Sequence, residues 1–155
     1  MFRRVYRAML HTFTLGRALP DPAKRALLRR MMAFSRELPA QFEQSLPRMM
    51  ARLTPVPSDS HRFTETEIRR LADAVATWHV RSPLGLCLRR SLLRYHFLRL
   101  AGVPLRIVFG ARLKGAPEGG GLGGHAWLTL HGTAYYEQYE DYEGFVEVYV
   151  YPEAG

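Results

Sequence analysis

The sequence predicts an α+β fold: a helical first part, then a helix packed on a small antiparallel sheet. Three observations carry this. Apolar residues recur at three- and four-residue spacing through most of the first hundred positions. Gly102 and Pro104 then stop that pattern. Beyond them Leu105, Ile107 and Phe109 alternate with other residues, which is the period of a strand. At 155 residues the chain is about one domain long, and its 47% apolar and 23% charged composition is that of a folded protein. No apolar run reaches the roughly eighteen residues that a membrane-crossing helix needs.

The elements follow from local signals. Residues 2–16 carry a weak apolar stripe (Phe2, Tyr6, Met9, Leu10, Phe13) that ends near Gly16, and the basic start lacks the apolar stretch of a signal peptide. Asp21 before Pro22 is a helix cap with proline in the first helical position, and Ala26, Leu27, Met31 and Phe34 continue to about Leu38. A further segment from Pro39 to Leu53 is expected to be interrupted at Pro47. The stretch 54–60 is a loop by composition and the expected boundary between a region 1–60 and a region 61–155. Thr64 with Glu67 forms a capping box for a helix through Ile68, Leu71, Val75 and Trp78, broken by Ser82-Pro83-Leu84-Gly85. The next helix spans Cys87 to Ala101, with Leu88, Leu92, Tyr95 and Leu98 or Phe97 as its apolar face. Residues 114–124 read as a glycine-rich loop. Strands are expected from His125 to Leu130, from Thr133 to Gln138 and from Phe145 to Tyr151, with His131-Gly132 in a turn.

Charge is unevenly placed. Residues 1–100 hold 19 Lys+Arg against 7 Asp+Glu, whereas residues 101–155 hold 3 against 7. The arginines are spread through apolar-periodic segments and not clustered with stacking aromatics, so they read as solvated helix faces and not as a nucleic-acid surface. The same field would steer an acidic peptide or partner. One cysteine forms no internal disulfide, and no Cys/His cluster has zinc spacing, which points to a reducing, cytoplasmic setting and no metal.

Cys87 stands at the start of a predicted helix, where unpaired backbone N–H groups and the helix dipole favour a thiolate; Arg89, Arg90 and Arg94 push the same way. Lone cysteines also serve as small buried hydrophobes. His125 opens a predicted strand directly after the glycine-rich loop, where an imidazole can face a cleft and act as base toward a thiol. The acidic residues Glu137, Glu140 and Asp141 follow as candidates to orient it. His11, His61, His79, His96 and His131 read as surface, helix or turn residues. The glycines of 115–124 lack a phosphate-loop ending.

The run CLRRSLLRYHFLRLAGVPLRIVFGARL, followed by GHAWLTLHGTAYYE, resembles the transglutaminase-like (papain-like) cysteine peptidase domain of lasso-peptide biosynthesis. The resemblance covers about residues 80–150, with Cys-x-x-Arg-Ser-Leu on the helix and Gly-His-Ala-Trp on the strand. It implies a transglutaminase-like core at 61–155, preceded by a helical region 1–60 that docks the leader or a partner. It also implies a nucleophile at Cys87, a general base at His125 and leader removal from a ribosomal precursor peptide. The partners it implies are that precursor, a separate leader-recognition protein and an ATP-dependent cyclase, with no cofactor. The family's third member is an aspartate twelve residues after the histidine, the place that Glu137 holds here. A transglutaminase-type acyl transferase and a non-catalytic peptide-binding scaffold are the alternative readings.

Turn chemistry gives a separate expectation for Glu137. A three-residue turn, Leu130-His131-Gly132, needs a positive φ only at Gly132 and would set His125 directly opposite Glu137. A two-residue turn would instead set His125 opposite Gln138, with Glu137 on the other face.

Overall fold

The computed structural model describes residues 20–58, 62–79 and 81–153, so the expected helix at 2–16 lies outside the described residues. The chain forms two compact units, Met1–Val103 and Pro104–Gly155. The stretch 54–60 falls inside the first of them.

In the helical unit, α1 (Pro22–Gln41) starts where Asp21 accepts hydrogen bonds from the N–H groups of Ala23 and Lys24, at 2.8 and 3.3 Å. Leu27, Met31, Ser35 and Leu38 form its buried stripe. The helix continues through Pro39, and the break falls at residues 42–45 instead of at Pro47. Pro47 sits in the first turn of α2 (Leu46–Leu53), where a missing N–H leaves no bond unmade. The capping box of Thr64 and Glu67 opens α3 (Glu65–Trp78), and Lys24 pairs with Glu67 at 2.7 Å.

The last helix of this unit, α4 (Leu86–Leu100), is buried around most of its circumference, with Arg89, Ser91, Leu92, Leu93, Arg94, Tyr95, Phe97 and Leu98 all inaccessible. A single apolar face was the expectation. It fails because two of the residues that read as solvent-facing arginines are inside, and Leu88 is only half-buried. Arg94 is accommodated by a fork to Asp73 on α3, at 2.6 and 2.8 Å. The helix ends as its sequence dictates: Gly102 has φ +83°, its N–H donates to the Arg99 carbonyl, and the Val103 N–H donates to that of Leu98.

The sheet unit is one four-stranded antiparallel sheet in the order β3-β2-β1-β4, made by β1 (Leu105–Leu113), β2 (Leu122–Leu130), β3 (Thr133–Ala134) and β4 (Val146–Tyr151). The glycine-rich loop is shorter than expected. β1 and β2 pair from Leu105↔Leu130 out to Leu113↔Leu122, and a 3-10 turn at Ala116–Glu118 joins them. Glu118 ties that turn back to Arg112 by two bonds of 2.9 and 2.5 Å. The third strand is also shorter than expected, two residues long, and a short helix α5 (Tyr139–Tyr142) lies between it and β4. Buried residues concentrate on the inner strands, at Leu105, Ile107, Val108, Ala126, Trp127 and Leu128.

Candidate active site

Cys87 is the second residue of α4 and half-buried. Gly85 is the N-cap and supplies no side-chain acceptor, so capping leaves the first-turn N–H groups to other partners. Gly85 also lies beside the thiol: a Cβ there would stand 3.9 Å from the Cys87 Sγ, at ordinary contact distance. Of the three arginines expected to assist it, Arg94 is neutralised by Asp73. Arg89 keeps its charge while 95% buried, and burial lowers its pKa.

His125 lies within β2 and does not open it, because the strand already begins at Leu122. Its position in the ladder is opposite Gly110 of β1. The imidazole stacks on Trp127, with centroids 5.9 Å apart and planes 19° apart, and lies 5.3 Å from the Phe145 ring. Trp127 in turn stacks on Tyr142 at 5.5 Å. Gly110 makes this stack possible. A Cβ at that position would stand 2.6 and 2.8 Å from two carbons of the Trp127 ring and 3.1 Å from the Cβ of Phe145. The β1–β4 ladder shifts by one residue at the same place: Phe109 pairs with Tyr149 but Gly110 with Glu147, which leaves Val148 as the extra residue of a bulge.

The three-residue turn expected to set His125 opposite Glu137 in the ladder is not formed. The ladder pairs Leu130↔Thr133 and Thr129↔Ala134, so the loop is His131-Gly132 alone, with φ of +50° and +83°. Two effects outweigh the cost of a positive φ at His131. The two-residue turn matches the twist of the strands, and its register sets the buried Tyr135 beside the buried Leu128, whose carbonyl accepts the Tyr135 N–H at 2.8 Å. Tyr136 then takes φ +51°. The left-handed residue ends strict alternation, so neither register argument assigns a face to Glu137, which is half-buried after β3.

Cys87 thus belongs to the helical unit, and His125 and Glu137 to the sheet unit. Gly110, Phe145 and Tyr142 were not singled out from sequence. Gly110 had a signal, a glycine inside an alternating strand, which often marks a close approach. The ring contacts of Tyr142 and Phe145 had none. Among the other histidines, His96 stacks on Phe34 at 4.3 Å and its Nδ1–H donates to the Leu53 carbonyl. Its burial lowers its pKa, which favours a neutral core residue. His11 and His61 lie outside the described residues. Among the described residues no group of three or more His, Cys, Asp and Glu could hold a metal, and no helix is long and apolar enough to cross a membrane.

A thiol at a helix start and an imidazole clamped on a strand are the two reactive groups of acyl-transferring cysteine enzymes. The family model of the transglutaminase-like superfamily matches residues 31–150, and the chain belongs to that superfamily. The superfamily generally contains cysteine peptidases and acyltransferases. No curated protein and no solved structure matches the chain.

Proposed function

We propose that this protein is a cysteine peptidase that removes the leader from a ribosomally made lasso-precursor peptide. The observation that carries the reading is the superfamily match, whose span includes Cys87, His125 and Glu137. In the proposed cycle His125 takes the thiol proton and the Cys87 sulfur attacks the last leader carbonyl. The C–N bond then breaks, with His125 returning the proton to the amine of the departing core peptide. Water, deprotonated by the same imidazole, hydrolyses the thioester and restores the thiol. The backbone N–H of Cys87 is the oxyanion donor in this scheme, since a helix start aims it where charge develops. Glu137 orients the imidazole. Trp127 and Phe145 hold the ring by packing, which limits its rotation.

The expected partners are the precursor, a separate leader-recognition protein and an ATP-dependent cyclase, in the cytoplasm and without a cofactor. The test is intact-mass spectrometry of the precursor after incubation with this protein, with and without the leader-recognition partner. Hydrolysis leaves leader and core whose masses sum to the precursor plus water. A product carrying an added amine would instead assign acyl transfer, the superfamily's other activity. Cys87→Ala is expected to abolish cleavage and leave the fold unchanged by circular dichroism, and cleavage near the wild-type rate would overturn the assignment. A wild-type thiol that iodoacetamide alkylates no faster than a buried cysteine would favour a peptide-binding scaffold.

A further inference from the structure

The approach to Cys87 is fixed from outside its own helix. The chain between α3 and α4 turns at His79, whose carbonyl accepts the Ser82 N–H at 3.2 Å, and the Leu84 N–H then donates to the Ser82 Oγ at 3.3 Å. The same His79 carbonyl accepts a hydrogen bond from Nη1 of Arg89, a residue of the first turn of α4 and two positions past the thiol. On its other side the His79 ring sits with Nδ1 3.0 Å from the Oγ of Ser35, which α1 holds at 1% exposure. One residue therefore links the middle of α1, the end of α3 and the start of α4.

Arg89 is an expensive way to make such a link. The residue is 5% exposed, and among the described residues no carboxylate pairs with its guanidinium. For stability alone, an apolar side chain of similar volume serves as well as a buried charge, and often better. A buried polar network fixes one geometry where apolar packing tolerates several. What the guanidinium adds beyond stability is a fixed anchor and a permanent positive charge in the same helical turn as the thiol.

We propose that Ser35, His79 and Arg89 form a latch of positioning residues that sets the start of α4, and with it the reactivity of Cys87. The proposal rests on reading Cys87 as the nucleophile, but its test needs no substrate. Cys87 is the only cysteine, so the rate of alkylation by iodoacetamide at pH 7 reads this thiol alone. Arg89→Met is expected to slow alkylation about tenfold, whereas Arg89→Lys, which keeps the charge and a donor, stays within about threefold of wild type. Stability should follow the opposite order, with Arg89→Met melting at or above Arg89→Lys. A purely structural role would make reactivity follow melting temperature.

Ser35→Ala and His79→Ala each remove the link to α1 while the His79 carbonyl remains. Each should slow alkylation about threefold, and the double variant no further, because both delete one interaction. An Arg89→Met thiol that reacts at the wild-type rate overturns the proposal, as does reactivity that tracks melting temperature across the series. Should Arg89→Met fail to fold, the other two variants decide: wild-type alkylation in both overturns it. If Cys87→Ala still cleaved precursor, the peptidase reading would fall while the alkylation series still measured the latch.

Discussion

Around Cys87 the helical unit buries charge. Arg94 is forked to Asp73, Arg89 donates to a carbonyl, and Ser35 meets His79, all at or near the interior. Around His125 the sheet unit packs rings, with the buried Trp127 over the bare backbone of Gly110, Tyr142 stacked on Trp127 and Phe145 tilted against the imidazole. The first arrangement depends on partners being present and correctly charged. The second depends on volume. The two regions should therefore fail under different substitutions, a neutral replacement of the same shape in one and an added methyl group in the other.

The largest effect is expected from Asp73→Ala. It leaves the Arg94 side chain, 5% exposed, without its carboxylate, and breaking a buried pair in this way destabilises by about 3–5 kcal/mol. Urea denaturation measures it, and a loss under about 1 kcal/mol would mean that water reaches Arg94. In the sheet unit Gly110→Ala should cost about 1–3 kcal/mol by overpacking against Trp127. Added to Trp127→Leu, the same change should cost less than it does alone, because the smaller side chain vacates the space. Strict additivity in that cycle would show that the ring and the glycine do not compete for room.

The smallest effect concerns a surface charge. The hydrogen bond from Lys24, with those from Thr64, lowers the Glu67 pKa from 4.5 to about 2. A depressed carboxyl pKa contributes stability that is fully present above about pH 4.5 and is lost as pH falls toward 2. Thermal melts of wild type and Glu67→Gln should therefore differ at neutral pH and converge across that window. The pair is exposed, so the difference should stay under about 1 kcal/mol. Curves that remain parallel down to pH 2 would show that Glu67 makes no net contribution through its charge.

The same contrast explains which parts of the molecule were legible in the sequence. The helix starts at Asp21 and Thr64 and the stop at Gly102 depend on hydrogen bonds spanning two to five residues, and each was readable from the residues involved. So was the place of Cys87 at a helix start. The β2–β3 register was not, because the cost of a left-handed His131 is local while the burial that outweighs it joins Leu128 to Tyr135. Arg89 and Arg94 read as solvent-facing because their partners, His79 and Asp73, lie 10 and 21 residues back in the chain. Ser35 and His79 are 44 residues apart, and neither carries a motif that announces the contact.

The bulge at Val148 bears on how copies of the protein meet one another. β4 ends the sheet, and its Val146 and Val148 are 69% and 63% exposed. A straight, apolar outer strand is a template on which a neighbouring chain can add its own backbone, which is how sheets grow into aggregates. One surplus residue bends that template and breaks its regular spacing of donors and acceptors. The irregularity beside Gly110 thus also serves colloidal stability, keeping two greasy valines at a sheet edge from becoming a seam between molecules.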